Sequence, residues 1–204
     1  MNKIVSIDPG ITNFAIWEGG ITRDENTGNI SVVTDHLEKV SLRTVGAGSI
    51  HEGAVKVILD TPWLMDAVRN NHHFVIETQE IHNILTRIVA CTVYGVLRGI
   101  GAEVKFSGTA IKRNAMTVLA KQCGLTLEDK PQTKGQKSRK ERMLNHRINK
   151  KNALLVARSI LYRLGDLDTL AKVDGARDVR GKKKSDDMCD AILQGVGALL
   201  QDLN

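Results

Sequence analysis

Hydrophobic and polar positions alternate or cluster in a way that reads, from the N-terminus, as strands followed by helices. Lys3-Ile4-Val5-Ser6-Ile7-Asp8 predicts a strand over residues 3–8 that stops at the turn dipeptide Pro9-Gly10. Phe14-Ala15-Ile16-Trp17, closed by Gly19-Gly20, predicts a second strand. Residues 30–40, with Val32, Val33, Leu37 and Val40, predict a third. Short strands joined by tight turns form an antiparallel meander. Residues 51–70 carry Val55, Ile58, Leu59, Trp63, Leu64, Ala67 and Val68 at helical spacing, with Pro62 predicting a kink or a split. His73-Phe74-Val75-Ile76-Glu77 is apolar without alternation, as in a strand covered on both faces. From Glu80 to Gly99, Ile81, Ile84, Leu85, Ile88, Val89, Val93, Val96 and Leu97 nearly encircle a predicted helix. Such a helix needs cover on two sides, from its own sheet and from a partner subunit. Gly101 to Phe106 predicts a fifth strand. The order implies an α/β fold, a five-stranded mixed sheet flanked by helices.

Beyond Leu125 the pattern changes. Nine Lys or Arg and one acid, Glu141, lie between Lys130 and Lys151. Pro131, Gly135 and Ser138 predict a mobile loop in the first half, part of a basic loop or arm at 125–147. Ile148 to Leu164 reads as a helix with Leu154, Leu155, Ala157, Ile160 and Leu161 as its apolar stripe. Residues 165–184 are polar and end in the basic run Arg180-Gly181-Lys182-Lys183-Lys184. A last helix starts at Ser185, with Met188, Ile192, Val196, Leu199 and Leu203 on one side. No internal repeat is present.

At 204 residues the chain is long enough for one domain, 1–204, with a substantial core. No run approaches the ~18 uninterrupted apolar residues of a membrane helix, and the N-terminus enters a strand pattern without a signal-peptide core. Cys91, Cys123 and Cys189 are widely spaced and form no C-x-x-C pair, which argues against a disulfide framework and a zinc knuckle and fits an intracellular, reducing compartment. The 29 basic and 23 acidic side chains leave a net charge of +6, leaning toward a polyanionic partner. Aromatics are only 3% of residues, which argues against a stacking platform for single strands. His72, His73 and His82 lack metal-ligand spacing, and Val45-Gly46-Ala47-Gly48-Ser49 lacks the pattern of a phosphate loop.

Four acids stand out by position. Asp8 closes the first strand, Glu77 closes the fourth, and Asp187 and Asp190 lie one turn apart near the start of the last helix. Residues at i and i+3 of a helix are neighbours, roughly 5–6 Å apart. Strand carboxyl ends in α/β sheets face the crevice that holds the site. Each acid alone has a plainer reading: a turn residue, a solvated strand end, or an acidic first turn behind an N-cap Ser185. Together they repel by about 3 kcal/mol per pair at ~5 Å and an effective dielectric of ~20. Hard divalent cations relieve that repulsion, and two of them form the site of a phosphodiester hydrolase.

Ser6-Ile7-Asp8-Pro9-Gly10 with Asn13-Phe14-Ala15, then Ile76-Glu77-Thr78-Gln79, then Lys183-Lys184-Ser185-Asp186-Asp187-Met188-Cys189-Asp190-Ala191 resemble, in this order, the RuvC-type Holliday junction resolvases. Within that group they are most similar to the poxvirus-type and related viral or phage enzymes. The resemblance spans almost the whole chain. It implies an RNase H-like fold, a homodimer, and Mg²⁺-dependent nicking of branched DNA at four-way junctions. It also implies a setting in a bacterial or virus-infected cell. Carried over, Asp8, Glu77, Asp187 and Asp190 are the catalytic acids that hold two Mg²⁺, with Mn²⁺ able to substitute. Asp186 is the alternative to Asp187, and spacing to Asp190 favours Asp187. The family's lysine near the scissile phosphate falls on Lys150 or Lys151, with Lys151 favoured. Lys137, Arg139, Lys140, Arg142, Arg147, Lys150, Lys182, Lys183 and Lys184 are the expected DNA contacts, which bind phosphates without reading bases and weaken with salt. Two rival readings are a catalytically silent branched-DNA-binding protein and an actin-like ATPase. The second lacks its further phosphate turn, because Asp174-Gly175 does not match.

Overall fold

The computed structural model describes residues 2–46, 48–79, 83–129, 138–177, 181 and 184–202. Three antiparallel strands, β1 (Lys3–Pro9), β2 (Phe14–Arg23) and β3 (Ile30–Val40), form the predicted meander. Two more, β4 (His73–Glu77) and β5 (Val104–Ser107), continue the sheet in parallel, giving the order β3-β2-β1-β4-β5. The second strand does not end at Gly19-Gly20 but runs on to Arg23. Its register shifts between Glu18 and Gly19, and a Cβ at Gly19 would stand 2.1 Å from the Val33 carbonyl oxygen. That glycine pair marks a bulge and a close backbone approach rather than a strand end.

Alternation along the strands divides the apolar residues between two cores. Val5, Ile7, Phe14, Ile16, Phe74 and Ile76 face one side, while Ile4, Ala15, Trp17 and Val75 face the other. The first side is covered by α1 (Leu42–Val45), α2 (Ile50–Asp60), α3 (Pro62–Arg69) and α4 (Ile84–Gly99). The predicted 51–70 helix therefore splits, with Thr61 extended and Pro62 opening α3, where its missing N–H costs nothing. The capping box of Ser49 and Glu52 starts α2.

The other side is covered by α5 (Thr109–Cys123), α6 (Arg139–Arg163), α7 (Leu167–Gly175) and α8 (Asp186–Asp202). Neither α5, which follows β5 directly, nor α7, which lies in the polar stretch 165–184, is among the predicted elements. The sixth helix begins at Arg139, not Ile148, because the capping box of Ser138 and Glu141 starts it inside the basic run. Residues 130–137 of the expected mobile loop lie outside the described residues. Its opening part is pinned down: the Asn152 amide accepts from the Glu128 N–H at 3.0 Å and donates to the Glu128 carbonyl at 2.9 Å. Gly101, at φ +88, turns the chain before β5, so the fifth strand starts at Val104 rather than Gly101.

The last helix is not one-sided. Every residue from Met188 to Leu200 except Asp190 is buried, because α8 lies between the sheet and α5 and α6. Two glycines permit it: a Cβ at Gly195 would stand 2.3 Å from the Trp17 ring, and one at Gly197 2.3 Å from the Ile111 carbonyl oxygen. The fourth helix is the reverse case. Val89, Ala90, Val93 and Leu97 are buried, while Ile84 is 65% and Leu85 52% exposed, with Ile88 uncovered beside them. No helix among the described residues is long and apolar enough to cross a membrane.

Candidate active site

Strand alternation aims the two strand acids. On β1 the even positions Ile4, Ser6 and Asp8, and on β4 the odd positions Val75 and Glu77, share the side of the sheet that α8 packs on. The parallel pairing sets Ile7 opposite Ile76, so Asp8 and Glu77 leave neighbouring strands at their carboxyl ends, both buried. The N-terminal turns of α8 bring Asp187 and Asp190 to the same place. Burial pushes the Asp8 carboxyl well above the usual carboxylate range, and the charges of Glu77, Asp190 and Asp187 push it further. Asp187 and Asp190 are also raised, chiefly by burial. Glu77, Asp187 and Asp190 therefore lie near enough for their charges to act on Asp8.

A residue that the sequence pattern passed over stands among them. Lys112, on the first turn of α5, places its ammonium 2.9 Å from Glu77 Oε1 and 3.2 Å from Asp190 Oδ2. Burial works against its charge, but Asp190 and Glu77 outweigh burial and raise its pKa above the ordinary lysine value. The available signal was the spacing of Ile111, Ala115 and Leu119 after the fifth strand, which marks a helix whose opening turn carries this lysine.

No protein-family model matches the chain, and no curated protein matches it in sequence. Solved structures do match. The yeast mitochondrial Holliday junction resolvase Ydc2 superposes with a TM-score of 0.56 at 13% identity, over 98% of this chain and 82% of that one. RuvC of Thermus thermophilus, in complex with its Holliday junction substrate, superposes with a TM-score of 0.52 at 15% identity, over 99% and 96%. The chain shares the fold of these two structures. The expected RNase H-like architecture, a five-stranded mixed sheet flanked by helices, is the one found.

Lys151 is exposed and pairs with Glu128, away from the acids, because helical geometry turns it about 100° from its neighbour. Lys150 instead bonds Asp186, which Lys184 also holds at 2.6 Å. Lys150 and Lys151 lie in the middle of α6. Burial alone would raise the Asp186 carboxyl, but hydrogen bonds from Lys150 and Lys184 bring it below the usual value. Asp187 differs: its buried Oδ2 accepts no hydrogen bond, and the Lys184 ammonium stands 3.5 Å from it. Ser185 Oγ is buried without a partner, so it does not act as the expected cap.

Arg139, Lys140, Arg142 and Arg147 are exposed along α6, and Arg139 and Arg147 fall on the same face as Lys150. Lys137, Lys182 and Lys183 lie outside the described residues.

The donor set fits a hard divalent cation: carboxylate oxygens only, one of them buried and accepting no hydrogen bond, with mutual repulsion to relieve. As they stand, no group of three His, Cys, Asp or Glu among the described residues is gathered to hold an ion. Between Glu77 and Asp190 stands the Lys112 ammonium.

Proposed function

We propose that the chain is a structure-selective endonuclease that resolves four-way DNA junctions by metal-dependent phosphodiester hydrolysis. The observation that carries this reading is the convergence of Asp8, Glu77, Asp187 and Asp190 at the carboxyl ends of β1 and β4, on a fold shared with junction resolvases. Asp8, Glu77, Asp187 and Asp190 would hold two Mg²⁺, with Mn²⁺ as a substitute. Such ions supply positive charge for the attacking and leaving oxygens of a phosphodiester. Asp187 serves better than Asp186, whose charge Lys150 and Lys184 already answer. Lys150 rather than Lys151 is the cation placed to meet charge developing on the phosphate. The face of α6 bearing Arg139, Arg147 and Lys150, with Lys140 and Arg142 beside it, holds the DNA backbone leading to the acids.

A junction has near two-fold symmetry and is resolved by paired nicks in opposing strands, which a C₂ homodimer with two sites can make. The uncovered apolar face of α4 supports that assembly. The three free cysteines fit a reducing, intracellular setting, the bacterial or virus-infected cell that the motif resemblance implies.

The test compares wild type, Asp8→Asn and Glu77→Gln on a synthetic four-way junction and on linear duplex, with Mg²⁺ and with EDTA. Wild type is expected to cut the junction only with Mg²⁺ and to leave the duplex intact, and each variant to lose at least ~100-fold in rate. Junction cutting that survives both substitutions would sink the site, and a chain that binds junctions but never cuts them is the silent DNA-binding protein.

A further inference from the structure

Lys112 is the only described residue that hydrogen-bonds or ion-pairs with the side chain of Glu77 or Asp190. Its own side chain is 14% exposed, so the pair of contacts is nearly closed to water. Lys150 and Lys184 are engaged on Asp186 and make no hydrogen bond or ion pair with Glu77 or Asp190. One ammonium therefore answers two of the three carboxylates that crowd Asp8. Removing such a cation without replacement would leave buried charges uncompensated, which is strongly unfavourable.

A divalent cation bridging Glu77 and Asp190 would stand where the Lys112 ammonium now bridges them, through Glu77 Oε1 and Asp190 Oδ2. Mg²⁺ binds oxygen at about 2.0–2.1 Å, inside the distance at which the ammonium sits, and the two positive charges repel. Lys112 and the ion cannot share both carboxylates. An ammonium released from them stays tethered to α5 and needs an anion within the reach of its own side chain. With DNA in the site, the anion at hand is a phosphate.

We propose that Lys112 is an exchangeable counter-ion: it neutralises Glu77 and Asp190 until divalent ions load, and then transfers to a DNA phosphate. Metal and DNA are thereby coupled through one side chain, each favouring the other by the same factor. The proposal rests on the nuclease reading above and adds to it an order of loading.

Mn²⁺ affinity, followed by electron paramagnetic resonance of the free ion, reads the exchange without any catalytic turnover. Three proteins are compared, wild type, Lys112→Gln and Lys112→Arg, each alone and with a nicked duplex that offers phosphates but no branch. Free Lys112→Gln should bind Mn²⁺ on the order of tenfold more tightly than wild type, within the range usual for coupled sites. Nicked duplex should tighten Mn²⁺ binding to wild type and gain distinctly less in Lys112→Gln. Lys112→Arg keeps the charge, and it should resemble wild type in both measurements. Lys112→Gln binding Mn²⁺ no more tightly than wild type overturns the exchange and leaves the nuclease reading in place. Lys112→Arg matching Lys112→Gln overturns it as well, because charge would not be the cause. Absence of Mn²⁺ binding in every form overturns both the exchange and the metal-dependent reading.

Discussion

Asp8 shows what single residues disclose about themselves. It ends an apolar run and precedes Pro9-Gly10, local marks that identify the end of a strand. Glu77 and the Asp187/Asp190 pair carry equally local marks, and the structure brings all of them together. Lys112 carries none, because its meaning comes from Glu77, 35 positions away in the chain, and from the far helix α8. The same reasoning separates Lys150 from Lys151: adjacent and chemically alike, they differ only in which neighbour the helix turns them toward.

The raised carboxyls give a pH prediction at this scale. An acid with a higher pKa folded than unfolded lets the native state bind more protons, so stability falls as pH rises from the unfolded pKa, ~3.9, through the folded value. Asp8→Asn removes that penalty. In EDTA its melting temperature should equal that of wild type near pH 4 and exceed it increasingly toward pH 7, with Mg²⁺ narrowing the gap. A difference independent of pH, followed by thermal unfolding from pH 4 to 7, would contradict the crowding of carboxylates around Asp8.

Elements were legible where their periodicity stood beside strong punctuation. The meander, β4 and the break at Pro62 are of this kind. Where charge dominated, the pattern failed: α6 runs through a basic stretch because Ser138 and Glu141 cap it, and one buried side of Asn145 and Ile148 suffices to hold its early turns. The eighth helix shows the opposite error. Its small residues Ala191, Gly195, Gly197 and Ala198 do not stand out as hydrophobic, yet they let the sheet and two helices close on it. Gly195→Ala should therefore cost about 1–3 kcal/mol in urea unfolding, since the added methyl meets the buried Trp17 ring, which has no room to move away. An alanine there that leaves stability unchanged would mean that α8 does not sit this close to β2.

For the whole molecule, α4 matters most. Its buried side packs on the sheet and α2, and its other side presents Ile84, Leu85 and Ile88 to solvent. An apolar patch of this kind on a helix is the usual mark of an interface. If the chain is the homodimeric nuclease proposed above, Ile88→Glu should shift it from dimer to monomer in sedimentation and convert paired nicking of a junction into single nicks. A variant that stays dimeric would move the interface elsewhere.

From the sequence alone came the strand order along the chain, the α/β class and the positions of the four acids, since alternation, turn residues and strand ends are set by neighbours a few positions away. Only the tertiary structure decided which cation meets those acids, which lysine of an adjacent pair faces them, and which apolar faces remain open. These depend on helices and strands distant in the chain coming within a few ångströms. A one-dimensional pattern records that a side chain can be buried or charged, but not what it will meet.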